Sequence, residues 1–252
     1  MTKILKAIRL PECLLVLSIG FLSFKQVGTN ANIQALVTLF FIVATTMLQN
    51  DWRDRIHDLK KDKAFATKNS ALFLFFLTIF WLTAIYLTFN TILHDKVTGS
   101  ILLFMLIVGA LYSEARYVPF LSVTLVTITV ASATLLPLGE GVIFYNLLPL
   151  ASVVALVMFG RETLHDIADM KADIGYKKTL PIILGQYASR ILSVISIVLG
   201  CIIALTISWY SIVGSLCIMY GLLKVLKDSS LKIVRQFVDI GMFLLAIGFF
   251  LN

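Results

Sequence analysis

Residues 35–58 read "ALVTLFFIVATTMLQNDWRDRIHD", an apolar run that ends directly in a cluster of charged residues. The apolar part approaches the length of a membrane-spanning helix, which needs about 20 mostly apolar residues. Asp51, Asp54 and Asp58 then follow one another within eight residues. Carboxylates so close to lipid are costly and usually functional. This stretch therefore predicts a membrane helix with a functional site at its end.

The composition of the whole chain indicates the same class of protein. Of its 252 residues, 59% are hydrophobic and 14% are charged, and the mean hydropathy is +0.95. Ordinary soluble domains have about 45–50% apolar and about 25% charged residues. We therefore expect an all-α, polytopic membrane protein with a single domain over residues 1–252. Its three cysteines lie in apolar runs without ligand-like spacing, and they predict neither disulfides nor a zinc site.

Nine apolar segments are candidate membrane spans, which predicts about nine transmembrane helices. We expect them to surround a central cavity that opens to a cytoplasmic-side active site. The segments lie at about 9–25, 32–49, 71–90, 98–113, 118–137, 142–160, 187–207, 209–227 and 233–251. Only the short "SWYS" region separates the seventh segment from the eighth. Eight spans is therefore the alternative to nine.

The basic residues orient these spans. In a nine-span topology, all but Lys25 and Lys96 of the 21 Lys and Arg residues fall on one side of the membrane. Positive charge marks the cytoplasmic side, so we expect a cytoplasmic N-terminus in the cell inner membrane. The net charge of +7 then reflects topology and attraction to anionic lipid, and it does not require a nucleic-acid partner.

Eight of the 14 acidic residues lie in two short stretches on the predicted cytoplasmic side. They are Asp51, Asp54, Asp58, Asp62, Glu162, Asp166, Asp169 and Asp173. Each stretch contains three aspartates at positions i, i+3 and i+7. On a helix these positions fall within about 60° of arc. The sequence thus predicts two acidic stripes, which could face each other across a cavity at the membrane surface.

Two such stripes suggest a site for divalent cations and phosphate. Carboxylate oxygens suit Mg²⁺, which often shares its coordination shell with substrate phosphates. Nearby basic residues would neutralise the remaining phosphate oxygens. They are Arg53, Arg55, Lys60, Lys61, Lys177 and Lys178. Because apolar helices surround the site, we expect a polyprenyl diphosphate as substrate, whose departing pyrophosphate leaves an allylic cation for an acceptor.

The two motifs resemble those of the UbiA superfamily of intramembrane prenyltransferases. That family has nine transmembrane helices, with NDxxDxxxD after the second helix and DxxxD after the sixth. Here residues 50–58, "NDWRDRIHD", match the first motif, and residues 169–173, "DMKAD", match the second. Asp166 extends the second motif. Residues 175–185, "GYKKTLPIILG", are similar to the family's G-x-x-T-L-P continuation.

The resemblance implies a role for each matched position. The implied Mg²⁺ ligands are Asn50, Asp51, Asp54, Asp58, Asp166, Asp169 and Asp173. The implied catalytic residues are Asp54, Asp58, Tyr112 and Arg116; the last two match the family's YxxxK element with Arg in place of Lys. The implied substrate-binding residues are Asn50, Arg53, Lys177, Lys178 and Arg9, the last from a segment similar to the family's first helix.

Two features bear on the acceptor. Residues 161–182, "RETLHDIADMKADIGYKKTLPI", are most similar to the branch that prenylates glycerol phosphates, and also resemble the homogentisate and chlorophyll branches. The Arg-Pro-Leu segment that commonly follows the first motif is replaced by "LKKDKAFATKNS" at residues 59–70. A glycerol-phosphate, aromatic or other lipophilic acceptor in quinone or isoprenoid-lipid biosynthesis is therefore expected.

Two other functions fit parts of the pattern. A terpene cyclase of the same superfamily would use the same motifs but would quench the cation internally. A lipid-binding or transport protein could use carboxylates for cations, but transporters hold ions near the membrane midplane. Here the carboxylates cluster at helix ends, and Asp239 is the acidic residue set deepest in an apolar run. We expect Asp239 to pair with Arg235, four residues earlier on the same helix.

Overall fold

The computed structural model describes residues 8–58, 65–115, 117–226 and 231–251, and the regular elements in these ranges are all helices. The described part contains eleven α-helices, nine of them with twelve or more residues. In chain order they are α1 (Leu10–Gln26), α2 (Ile33–Asp58), α3 (Phe65–Lys68), α4 (Ser70–His94), α5 (Lys96–Ala115), α6 (Leu121–Ser132), α7 (Phe144–Asp173), α8 (Leu180–Leu184), α9 (Gln186–Ile207), α10 (Ile212–Leu226) and α11 (Leu231–Phe250).

Each of the nine predicted spans coincides with one of the longer helices, if the 3₁₀ segment Ala133–Glu140 is counted with α6. Six segments of the described chain are long and apolar enough to cross a membrane. They are Ile33–Ile56, Ser70–His94, Lys96–Ala115, Leu121–Glu140, Phe144–Asp173 and Gln186–Ile207. The helix α1 has 17 residues, and shorter apolar stretches cover Trp209–Lys224 and Gln236–Phe250. The all-α membrane architecture is confirmed, and the count of nine spans stays a prediction.

The seventh and eighth predicted spans are separate helices. The backbone at Ser208 is extended, with φ −146° and ψ 125°, and a 3₁₀ turn over Trp209–Ser211 follows before α10 begins. The buried Ser208 hydroxyl donates a hydrogen bond to the carbonyl of Gly248 at 2.9 Å. The break between α9 and α10 is therefore anchored to the end of α11.

Both acidic motifs are helical, and they extend the helices beyond the predicted ends of their spans. The predicted spans stop near residues 49 and 160, whereas α2 continues to Asp58 and α7 continues to Asp173. Lys177 contacts carboxylates of both helices, which places their C-terminal ends together. We call this side of the bundle the acidic end. At the opposite end, Lys25 of α1 contacts the backbone of Phe250 in α11.

Small residues hold α7 against α9, the helix with which it packs most extensively. Ser193 donates a hydrogen bond to the carbonyl of Gly160 at 2.7 Å, and Ser196 donates one to the carbonyl of Leu156 at 2.8 Å. In lipid, helices associate through close packing of small residues and interhelical hydrogen bonds. This interface therefore fixes the helix that carries the second acidic stripe.

Gly160 tests this interface. A Cβ atom at position 160 would lie 2.4 Å from Cγ1 of Ile197 and 2.7 Å from the backbone oxygen of Ser193. We expect Gly160→Ala to lower the Tm in detergent, because overpacking costs about 1–3 kcal/mol. The matched control is Gly20→Ala, whose new methyl group meets flexible leucine side chains, the nearest being that of Leu39 at 3.1 Å. An equal or smaller loss for Gly160→Ala would contradict the expectation.

Candidate active site

The first acidic stripe lies on the last turns of α2. Asp51, Asp54 and Asp58 all belong to this helix, as their spacing predicted. The Asp54 side chain is only 4% exposed, and the amide of Asn50 donates a long hydrogen bond of 3.5 Å to its Oδ2. Asp58 continues the stripe along the backbone, although its side chain lies outside the described part. Burial of Asp54 makes it the central carboxylate of this stripe.

The second acidic stripe occupies the last turns of α7. Asp166 and Asp169 are half-buried, and Asp173 at the end of the helix is buried, with 2% of its surface exposed. The Oδ2 atom of Asp166 is buried and has no hydrogen-bond partner among the described residues. A buried carboxylate oxygen in this condition is unfavourable unless an ion or water meets it. This oxygen of Asp166 is therefore of the kind that ligates a cation.

The segment that follows α7 joins the two stripes. The Lys177 ammonium lies 3.5 Å from Oδ2 of Asp54 and 3.8 Å from Oδ2 of Asp173. The Tyr176 hydroxyl donates a hydrogen bond to Oδ1 of Asp54 at 3.0 Å. Sequence reasoning predicted a site role for Lys177 and missed Tyr176. The only sequence signal for Tyr176 was its place directly before Lys177.

Arg9, which the resemblance implied as a substrate-binding residue, lies beside the first stripe. Its Nη2 atom donates a hydrogen bond to Oδ1 of Asp51 at 2.9 Å, which joins the residue before α1 to α2. The half-buried Tyr112 of α5 lies within electrostatic range of Arg9 and of Glu162 on α7. Three helices, α2, α5 and α7, and the residue before α1 thus contribute polar groups to the acidic end.

The remaining predicted residues differ in their surroundings. Arg53 forms a 2.7 Å ion pair with Glu114 of α5, and both side chains are more than half exposed. This partner on α5 was not predicted. Lys178 is exposed. The other predicted basic and acidic positions near the motifs lie outside the described residues; they are Lys60, Lys61, Asp62 and Arg116.

A buried ion network lies next to the second stripe. Arg161 of α7 is 7% exposed, and its Nε donates a hydrogen bond to Oδ1 of Asp239 on α11 at 2.7 Å. Its Nη1 donates another to Oε1 of Glu162 at 2.5 Å. The expected partner of Asp239 was Arg235, whose side chain lies outside the described part; the observed partner is Arg161. The sequence signal for this pair was the position of Arg161 directly after an apolar run, because charges buried in the membrane require partners.

The donor set suits Mg²⁺. Carboxylate and amide oxygens are hard ligands, and Mg²⁺ is usually held by one or two carboxylates together with waters and substrate phosphates. Among the described residues, no three His, Cys, Asp or Glu side chains converge closely enough to hold an ion by themselves. Asp166 has an oxygen without a described hydrogen-bond partner and lies within electrostatic range of Glu162, Asp169 and Asp173, which fits the sparse protein ligation that Mg²⁺ requires.

Two apolar cavities lie within the bundle. A groove of about 360 Å³ lies between α1 and α11 and reaches Phe21 and Phe250 near the opposite end. A narrower cavity lies behind it, between α1, α7 and α11. Val157 lines the narrower cavity one helical turn before Arg161, so this cavity begins next to the buried ion network.

Solved structures share this architecture over nearly the whole chain. An apo structure of a UbiA homologue from Aeropyrum pernix K1 is 11% identical, with a TM-score of 0.74 over 95% of this chain and 97% of its own. A UbiA homologue from Archaeoglobus fulgidus bound to DMAPP and Mg²⁺ is 14% identical, with a TM-score of 0.69 over 99% and 98%. A structure of digeranylgeranylglyceryl phosphate synthase is 20% identical, with a TM-score of 0.70 over 99% and 97%.

The class that these likenesses define is the intramembrane helical bundle of the UbiA homologues. The chain has this fold, as the motif resemblance implied. Neither a protein-family model nor a curated protein matches the chain by sequence.

The Arg161–Asp239 pair should stabilise the packing of α7 against α11. We expect Asp239→Asn to lower the Tm, because it leaves a buried guanidinium with less compensation. The free energy of unfolding should fall by about 1–3 kcal/mol. This is less than the loss expected for a fully buried pair, since the Asp239 side chain is 39% exposed. Asp95→Asn is the matched control: Asp95 accepts hydrogen bonds from backbone N–H groups at the start of α5, and asparagine caps helices equally well.

A triple variant checks the physical cause. Arg161→Met combined with Glu162→Gln and Asp239→Leu removes all three charges of the network and should recover most of the lost stability, because neutral groups of similar volume can replace a buried ion network. A triple variant less stable than Asp239→Asn would contradict this account.

Proposed function

We propose that the chain is a Mg²⁺-dependent intramembrane prenyltransferase, which moves a polyprenyl group from its diphosphate to a small acceptor. The observation that carries the proposal is the contact of Lys177 with Asp54 and Asp173, because it unites the two acidic motifs in one site. The fold supports the same function, since a homologue with this fold is bound to DMAPP and Mg²⁺.

The diphosphate of the donor would bind at the acidic end. Lys177 and Arg9 lie beside the carboxylates and can pair with phosphate oxygens, and Arg53 lies at the exposed rim. The carboxylates of Asp54, Asp166 and their neighbours would hold Mg²⁺. When bound, Mg²⁺ neutralises phosphate oxygens and stabilises the departing pyrophosphate.

The prenyl chain would lie in the apolar space that begins beside the ion network, and the helices would separate to admit it, because the cavity there has a volume of about 40 Å³. The cavity between α1, α7 and α11 is lined by aliphatic side chains such as Ile19, Val153 and Leu245. Its position next to Arg161 would allow the head of the donor to remain at the acidic end while its tail extends between the helices. The hydrophobic effect would favour this placement by about 0.8 kcal/mol for each buried CH₂ group.

The reaction breaks the bond between C1 of the prenyl group and the bridging diphosphate oxygen, and the electron pair leaves with pyrophosphate. The acceptor then forms a bond to C1 and gives up a proton to a carboxylate of the site. Lys177 and Arg9 would oppose the negative charge that develops on pyrophosphate. The aliphatic walls would exclude water, which would otherwise trap the allylic cation.

Two observations favour a glycerol phosphate as the acceptor. The second motif and its continuation, residues 161–182, are most similar to the branch that prenylates glycerol phosphates. The digeranylgeranylglyceryl phosphate synthase is also 20% identical to this chain, compared with 11–15% for the UbiA homologues of the same fold. There are two alternatives. The acceptor could be aromatic, or the enzyme could be a cyclase, in which the allylic cation is quenched within the prenyl chain itself.

We further propose that the acidic end faces the cytoplasm of a cell with the protein in its inner membrane. The two basic residues predicted on the other side, Lys25 and Lys96, lie at or near the opposite end of the bundle, where Lys25 contacts the end of α11. The excess of Lys and Arg elsewhere would then face the anionic cytoplasmic leaflet.

Asp54→Asn tests the proposed role of the buried carboxylate. Purified protein in nanodiscs would be given geranylgeranyl diphosphate, Mg²⁺ and an acceptor, and pyrophosphate release would be measured. We expect a loss of at least about 100-fold, because Asp54 lies at the junction of the two stripes. Asp95→Asn, the same substitution at the other end of the bundle, should retain full activity. Full activity in Asp54→Asn would overturn the assignment.

A panel of acceptors tests the finer proposal. Glycerol phosphates, hydroxybenzoate, homogentisate and dihydroxynaphthoate would be compared in the same assay, with EDTA as the metal-removal control. We expect release that depends on a glycerol phosphate and stops with EDTA. Release that depends on an aromatic acceptor would reassign the branch. Release without any acceptor would indicate a cyclase, and no release with a folded protein would favour a lipid-binding protein.

A further inference from the structure

A tight turn brings Lys177 back over the end of α7. Gly175 has φ +82°, a conformation that glycine adopts readily. The backbone N–H groups of Tyr176 and Lys177 then donate hydrogen bonds to the carbonyl of Asp173 at 2.9 and 3.0 Å. The turn directs both side chains toward Asp54 of α2. Lys177 is thereby placed between the two stripes by the local backbone.

The two carboxylates that Lys177 contacts explain why a positive charge is needed between the stripes. Asp54 and Asp173 are 4% and 2% exposed, so little water reaches either carboxylate. Buried carboxylates that approach one another repel, and each requires a compensating charge. The Lys177 ammonium lies within 4 Å of both and is itself only 21% exposed. Its positive charge therefore compensates one carboxylate of each stripe.

We propose that Lys177 is an internal counter-ion: its ammonium neutralises Asp54 and Asp173 before a divalent cation binds, and it moves toward the diphosphate when the cation enters. This inference rests on the proposed function, because it requires a divalent cation at these carboxylates. A lysine suits the task better than an arginine, since its compact charge is carried on a flexible four-carbon chain.

Electrostatic repulsion explains how a divalent cation would take the place of the Lys177 ammonium. We call this replacement the exchange. A divalent cation at the same carboxylates would repel the ammonium strongly at distances of a few ångströms, because the site is poorly solvated. Lys177 would then leave the carboxylates, and Gly175 would permit the turn to adjust. The released ammonium would then pair with the diphosphate of the bound donor. One side chain would thus stabilise the empty site and later bind the substrate.

Binding of Mg²⁺ alone provides the first test. Isothermal titration of the protein in nanodiscs, without prenyl substrate, would compare the wild type with Lys177→Met. We expect the variant to bind Mg²⁺ about tenfold more tightly, because the ion no longer displaces an ammonium. Lys171→Met removes the same charge from an exposed position on the last turn of α7 and should change the affinity less than about twofold.

Amine labelling of the wild type provides the second test and does not depend on a variant that folds. An acylating reagent would modify lysines, and mass spectrometry would quantify each one, with the exposed Lys171 as internal reference. We expect the labelling of Lys177 to rise when Mg²⁺ is added. It should fall again when inorganic pyrophosphate follows, because the ammonium then pairs with phosphate oxygens.

The outcomes separate this inference from the proposed function. Unchanged or weaker Mg²⁺ binding in Lys177→Met, with Lys177 labelling unaffected by Mg²⁺, would overturn the exchange while leaving the transferase proposal in place. A merely structural role for Lys177 would weaken Mg²⁺ binding, since the stripes would separate. A wild type that binds no Mg²⁺ would overturn both proposals.

Discussion

Lipid cannot solvate a charge, and the described structure is organised around that constraint. Its described carboxylates and basic groups lie mainly at helix ends, and the buried Arg161 is paired. Arg161 shows the principle most clearly: its guanidinium contacts carboxylates of two helices, Glu162 of α7 and Asp239 of α11. Pairing of this kind fixes how α7 and α11 pack, because neither charge can face lipid alone. The position of the second acidic stripe depends on this packing.

The described acidic end carries more carboxylates than the basic groups that contact them. Arg9 compensates Asp51, and Lys177 compensates Asp54 and Asp173. The buried Oδ2 atom of Asp166 has no hydrogen-bond partner among the described residues. Such a site favours a ligand that brings its own positive and negative groups, as a metal-bound diphosphate does. The physical chemistry of the site and the proposed substrate therefore agree.

The fold persists at very low sequence identity. Structures that are 11–20% identical to this chain share its architecture over at least 95% of its length. Lipid-facing positions require only an apolar side chain, so many substitutions leave the bundle unchanged. Close helix contacts tolerate less variation, and Gly160 against Ser193 is an example in this chain. Likeness of fold consequently leaves the acceptor open, and the contents of the site must decide it.

The sequence by itself determined the class of protein, the positions of the helices and both acidic stripes, because hydropathy and helical periodicity are local properties. It also indicated Arg9 and Lys177 as site residues. The tertiary structure alone decided which groups meet: Asp239 pairs with Arg161, 78 residues away, and Tyr176 reaches Asp54, 122 residues away. Such pairs depend on how distant helices pack. No spacing within one helix encodes them, and for that reason the expected partner of Asp239 was its own helical neighbour.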